Sequence, residues 1–428
     1  MKLTDRIYIV TDLLDTFFHS LTPFDVVLQR FFKANRWIGA SERRDIVEYS
    51  YSIFRKFETL KLYAENITTD YGKYFVMAYM KLEEKISDLK IVEAFYDRNV
   101  NNWKFSDFDA KFLKTLDRQL DLPRHVRLNY PQWLEPYLVR AFSEEHLEKE
   151  MLELNQKALV DLRVNTLKSD KDTVKAMLGA HGFQASDTKF APNGLRLLNA
   201  RIGRGNPVLK DGLAEIQDEG SQLIAAVCNA SSSDMVIDLC AGAGGKTLAL
   251  AADMQNKGRI LALDTNVVRL SQAKLRLRKA GVNNVFCNEI TGKWLKRHAE
   301  CADIVLVDAP CSGTGTWRRN PDMRTKMNEN DIRELLVLQQ KILEAAQHLV
   351  KKGGRLIYAT CSVLMEENED QVEKFLEKFP SFERKNISFD EIDAKTDGIS
   401  LCRDGYLRLS PANHGTDGFF AACLQLTN

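Results

Sequence analysis

Along the first 125 or so residues, apolar side chains return at helical spacing. From Ser41, an expected N-cap, Ile46, Ile53, Phe57 and Leu60 recur at intervals of seven, four and three, with Arg43, Arg44, Arg55 and Lys56 among them. That spacing predicts an amphipathic helix. Residues 24–32, which follow Pro23, and residues 75–86 repeat it, so this region reads as an all-helical bundle. Prolines at 123 and 131 interrupt the helical pattern. Residues 126–215 then mix helical stretches with short strand-like runs such as 159–164 and predict a small α+β insert. From 216 onward apolar strands (235–239, 260–263, 303–307, 355–358 and 418–424) alternate with helical stretches (266–280, 331–349 and 366–379). This alternation predicts an α/β domain built on a doubly wound parallel sheet, whose ligands collect at the carboxyl ends of the strands. The expected domains are 1–125, 126–215 and 216–428.

The 428 residues carry 44% apolar and 28% charged side chains, which suits a folded chain and not a disordered or collagenous one. Sixty basic residues face 59 acidic ones, so a polyanion must be held by local patches and not by net charge. No apolar run approaches the ~18 residues that cross a bilayer. The eight cysteines include no CxxC pair and no His/Cys group at zinc spacing. A cytoplasmic protein with reduced thiols, no structural metal and no membrane partner is expected.

The first strand of the C-terminal region opens into Asp238-Leu239-Cys240-Ala241-Gly242-Ala243-Gly244-Gly245-Lys246-Thr247. Glycines here let backbone approach a ligand at a helix start. A Walker A loop needs glycine where Cys240 stands, and the dinucleotide fingerprint GxGxxG needs one where Thr247 stands. A P-loop NTPase stays open as a rival, because the strand ending in Asp308 imitates a Walker B. The glycine loop, Cys240 to Lys246, fits better with Asp264 at the end of the next strand. That carboxylate can take both hydroxyls of a ribose, the arrangement for a nucleoside cofactor with no phosphate to cradle, such as S-adenosylmethionine.

Two further loops follow strands: Asp308-Ala309-Pro310-Cys311-Ser312-Gly313-Thr314-Gly315 and Ala359-Thr360-Cys361-Ser362. Adjacent strands deliver both to one rim, so Cys311 and Cys361 are expected to face one pocket, while the remaining cysteines outside the glycine loop read as small buried hydrophobes. Chemistry that uses two thiols beside a methyl donor is methylation of carbon 5 of a pyrimidine. A thiolate adds to carbon 6, carbon 5 takes the methyl group, and a base removes the carbon 5 proton before the thiol leaves. Asp308 stands where it can hold the base edge. Spacing alone leaves open which thiol attacks.

The runs DLCAGAGGKT, DAPCSGTGTWRRNPD, YATCSVLMEEN and HGTDGFF, with RVNTLK (163–168) and QDEGSQ (217–222) before them, resemble the RNA 5-methylcytosine methyltransferase family of the bacterial RsmB and eukaryotic Nop/Sun type. The resemblance implies a Rossmann-like class I methyltransferase domain. It assigns the attacking nucleophile to Cys361 and assistance in release to Cys311. It places the cofactor on Cys240, Ala241, Gly242, Ala243, Gly244, Gly245 and Lys246, on Asp264 and Asp308, and on Glu289 near the adenine. Gly242-Ala243 replaces the family's Ala-Pro and implies a more flexible loop. The N-terminal helical region is similar to a NusB-like RNA-binding domain. Small-subunit ribosomal RNA is then the expected substrate, with transfer RNA or another RNA as the alternative and a non-catalytic assembly factor as a further rival. Trp317 with Arg318 and Arg319 is expected to stack a base and bind phosphate.

Overall fold

The computed structural model describes residues 3–65, 67, 69–96, 105–199, 202–203, 205–393 and 399–427. Packing divides the chain into two units: Met1–Pro136 with Arg319–Met327, and Tyr137–Arg318 with Asn328–Asn428. The first break falls after Pro136, the α+β insert packs with the larger sheet as one unit, and residues 319–327 join the helices.

The first unit is helical, with Leu3–Phe18, Phe24–Ala34, Ala40–Phe54, Phe57–Tyr63 and Tyr71–Leu82 as its longer elements together with Asp88–Tyr96 and Asp107–Thr115. Aromatic rings fill its core; Phe24 meets Phe17 at 5.6 Å and Phe54 at 4.9 Å, both edge to face. Ser41 is not the cap. The cap lies two residues earlier, at Gly39, the helix starts at Ala40, and the Glu42 carboxylate accepts the Gly39 N–H at 3.0 Å. The run expected as one helix also breaks between Phe54 and Phe57. Residues 319–327 contribute Arg324, fully buried, whose guanidinium donates to the Asn129 carbonyl at 2.6 Å. They also contribute Asp322, which accepts the Phe24 N–H.

In the second unit β1 (Val160–Val164), β2 (Ala185–Asp187), β3 (Gly194–Leu197) and β4 (Ala214–Ile216) form a small antiparallel sheet ordered β2-β3-β1-β4. The larger sheet comprises β5 (Met235–Asp238), β6 (Arg259–Asp264), β7 (Val285–Glu289), β8 (Ala302–Asp308), β9 (Val350–Thr360), β10 (Phe382–Lys385), β11 (Cys402–Arg403), β12 (Tyr406–Leu409) and β13 (Phe419–Leu426). Among the described residues its order is β11-β12-β13-β9-β8-β5-β6-β7, with β10 on β13. Strands β5 to β9 pair in parallel, and β13 closes antiparallel on β9.

Both faces of the sheet at β5, β6, β8 and the second half of β9 are covered, which is why these strands read as continuous apolar runs. On β8, Ile304 and Leu306 enter one core and Val305 and Val307 the other. The helix Val267–Ala280 starts where Asn266 accepts the Val268 and Arg269 N–H groups, and it stops at Gly281 in the left-handed region. The chain runs from β5 out to β6 and β7 and then returns to β8 on the other side of β5. This reversal opens a crevice at the carboxyl ends of β5 and β8.

Candidate active site

The glycine loop follows β5 and starts the helix Gly245–Asp253. Gly242 has φ +55°, and a Cβ there would meet nothing within 4 Å, so the loop presents backbone to open space. The loop is held from behind. The Ala243 carbonyl accepts from Arg276 at 2.7 Å, and the Gly245 carbonyl accepts from Arg163 at 2.8 Å. Arg163 is buried, burial lowers its pKa to about 10, and it also donates to Gln217. The RVNTLK and QDEGSQ runs therefore brace the loop, which offsets the freedom expected of Gly242-Ala243.

Asp264, at the end of β6, accepts the Gly242 N–H at 2.8 Å and the Asn266 N–H at 2.7 Å. Its register partner on β7 is Glu289, so both carboxylates stand side by side at the sheet rim. Asp238 is buried under the loop. The Thr247 hydroxyl donates to Oδ2 at 2.6 Å, while Oδ1 has no protein partner. Burial raises the Asp238 pKa to about 7, against the opposing hydrogen bond from Thr247. Open backbone at Gly242 and a carboxylate pair at the rim fit a nucleoside cofactor.

Lys246, expected at the cofactor, donates to Asp308 at the end of β8, at 2.6 Å. Burial opposes a charge on Lys246, but the Asp308 carboxylate outweighs it and the pKa is raised. The lysine that a Walker A loop would aim at phosphate is thus committed to a carboxylate.

The two cysteine loops lie one strand apart, and the Cys311 and Cys361 sulfurs approach to 3.4 Å. The pairing with Cys361, then burial, pushes the Cys311 thiol well up, and either sulfur can be the donor across this contact. Cys240 lies nearby with its thiol also pushed up by burial.

A buried polar network, which periodicity did not reveal, joins the two loops. Glu367 accepts the Ser312 N–H at 2.8 Å, the Ser312 hydroxyl, and Gln339 Nε2 at 3.0 Å. Thr314 and Ser362 hydroxyls meet at 3.0 Å, and the Asn368 amide donates to the Ser362 carbonyl at 3.0 Å. The only signal of this network was the acidic pair after TCSVLM. The HGTDGFF run closes the site by backbone contact. The Gly315 N–H donates to the Cys361 carbonyl at 3.0 Å and the Gly418 N–H to the Gly315 carbonyl at 2.8 Å. A Cβ on Gly315 would lie 2.2 Å from the Gly418 oxygen, so no larger residue fits.

Trp317 and Arg318 depart from expectation. Trp317 is fully buried, and Arg318 is nine-tenths buried in an ion pair with Asp417 at 3.0 Å and a hydrogen bond to the Gly415 carbonyl. Neither is available to stack a base or bind phosphate, and Arg319 belongs to the helical unit.

The model of the 16S rRNA methyltransferase RsmB/F family matches residues 225–425, and that of the RsmF/B-like ferredoxin-like domain matches residues 130–202. The chain is 32% identical over 301 residues to a probable ribosomal RNA small subunit methyltransferase B of Synechocystis, covering 69% of this chain and 67% of the relative. It is 31% identical to the enzyme of that name from Pasteurella multocida over 82% of this chain and 76% of the relative. Among solved structures, PH0851 matches with a TM-score of 0.82 and 25% identity over 99% of both chains. A methyltransferase homologue from Pyrococcus horikoshii matches with a TM-score of 0.60 and 29% identity over 70% of this chain and 97% of that one. The braced glycine loop, the paired sulfurs and these relatives agree: the chain belongs to the RsmB/F family of ribosomal RNA small subunit methyltransferases.

Proposed function

We propose that this protein methylates carbon 5 of a cytosine in small-subunit ribosomal RNA through a covalent cysteine adduct, with S-adenosylmethionine as methyl donor. The observation that carries the reading is the 3.4 Å approach of Cys311 and Cys361 at the carboxyl ends of adjacent strands. The bound cofactor supplies an electrophilic methyl group. When it is bound, Asp264 would take its ribose hydroxyls, Glu289 would lie toward its adenine, and the backbone of Cys240 to Lys246 would hold it.

The protein's own groups do the rest. The Cys361 thiolate adds to carbon 6, forming an S–C6 bond and placing electron density on carbon 5, which becomes the nucleophile. Asp308, oriented by Lys246, holds the Watson–Crick edge of a cytosine extruded from its surroundings. After methyl transfer the carbon 5 proton leaves to a base, the S–C6 bond breaks, and Cys361 departs. Cys311, 3.4 Å from the attacking sulfur, assists that release. Such chemistry needs reduced thiols, which suits the cytoplasm, and none of the helices described is long and apolar enough to cross a membrane.

The test is incubation with methyl-labelled S-adenosylmethionine and protein-free small-subunit ribosomal RNA, followed by bisulfite sequencing. Label at one cytosine is expected. A folded, cofactor-binding protein that labels no cytosine refutes the assignment.

A further inference from the structure

Residues 259–298 carry nine Lys or Arg against two acids, in a chain whose net charge is only +1. The structure gathers this charge at the free edge of the larger sheet, around β7. Among the described residues, a cavity of about 730 Å³ there is lined by Arg259, Lys274, Arg278, Arg297 and His298, with no carboxylate among its lining residues. Arg276 and Lys279, on the same helix, are instead neutralised by Glu215. No such ion pair holds Arg259, Lys274, Arg278 or Arg297 among the described residues, and all four are exposed.

Aromatic rings stand among these cations. Phe286 is 47% exposed on the edge strand itself, with the Arg259 guanidinium 4.6 Å from its centroid. The Trp294 ring stacks on His298 at 3.9 Å, nearly parallel. Charges that merely protect a sheet edge from pairing sit on the edge strand. Here β7 contributes Glu289 and an exposed Phe286, and the cations come from β6 and the flanking helices. Free cations beside half-exposed rings are the chemistry of nucleic-acid backbone and base contact.

We propose that Arg259, Lys274, Arg278 and Arg297, with Phe286 and Trp294, form a second RNA-binding surface that grips backbone away from the target nucleotide. β7 lies three strands from β8, about 14 Å across the sheet, and Arg259 enters β6 at the end opposite Asp264, about 17 Å along it. The surface therefore reads RNA flanking the nucleotide and not the nucleotide itself. This inference rests on the RNA reading above.

The test is filter binding of a small-subunit ribosomal RNA transcript across a KCl series without cofactor, using the full chain and a Lys274→Gln, Arg278→Gln, Arg297→Gln variant. Affinity at 0.1 M salt is expected to fall at least tenfold, and the slope of log K against log salt to shrink by about two, since each phosphate contact contributes roughly 0.7–0.9. In turnover, KM for RNA rises while kcat at saturating RNA and cofactor affinity stay as in the parent. Arg278→Lys with Arg297→Lys retains charge and should retain the slope. Should the triple variant fail to fold, the exposed single changes Lys274→Gln and Arg297→Gln are each expected to lower the slope by somewhat under one. An unchanged slope and KM in folded variants overturns the surface while leaving the methylation reading intact. A changed slope in a protein that labels no cytosine leaves the surface standing and removes the methylation reading.

Discussion

The Lys246 ammonium lies 2.6 Å from the Asp308 carboxylate although 62 residues separate them. One stands at the start of the helix after β5 and the other at the end of β8, and the two strands are neighbours because the chain reverses direction between them. The pair therefore marks the crevice where the fold presents ligands. A buried lysine keeps its proton there because the carboxylate offsets the loss of hydration.

Neutralising one partner should expose that dependence. Asp308→Asn keeps the shape but removes the charge, so the Lys246 pKa drops and single-turnover methyl transfer is expected to slow by about 10²–10⁴. Lys246→Met should cost a similar factor, and the double variant little more than either single change, because the two act as a unit. Losses that multiply in the double variant contradict the pairing.

The two sulfurs should fail differently. With Cys361→Ala no adduct forms and methylation is abolished. With Cys311→Ala, RNA is expected to stay covalently attached, visible as a protein band retarded in denaturing gels and collapsed by ribonuclease. Loss of the adduct in both single variants refutes the division of roles.

Glu367 is fully buried and accepts three hydrogen bonds from the residues that shape the Cys311 loop. Glu367→Gln substitutes a donor where only acceptors are needed. A loss of about 1–3 kcal/mol is expected, seen by calorimetry as a fall of several degrees in Tm. Methylation should slow with KM for cofactor unchanged.

Asp238 links stability to pH. Its folded pKa, about 7, lies above the ordinary carboxylate value of 3.8, so between those values the folded chain binds the extra proton. Stability from this group is present at acidic pH and lost as pH rises through about 7. Asp253, raised by burial to about 6, acts in the same sense. Asp238→Asn should flatten the pH dependence of denaturant midpoints between about 4 and 7. A parent whose dependence is identical to that of the variant contradicts the assignment.

Periodicity was sufficient for the strands β5, β6, β8, β9 and β13 and the helices between them. Alternation and apolar runs are properties of neighbouring residues, and a sheet covered on both faces leaves them in plain view. The glycine loop and the two cysteine loops were legible for the same reason, since each follows directly on its strand. Their meeting was inferred from strand order; the 3.4 Å separation came only from the folded chain.

What lay beyond local pattern depended on partners distant along the chain. Trp317 and Arg318 look like a nucleic-acid contact until Asp417, 99 residues on, claims the arginine. Glu367 looks like one more surface acid until β8 and β9 bring Ser312 to it. Conversely, the cations of residues 259–298 form no recognisable surface in the sequence, because only packing shows which of them Glu215 neutralises and which face solvent. Burial and pairing are set by which segments fold against one another, and no residue carries that in its neighbours.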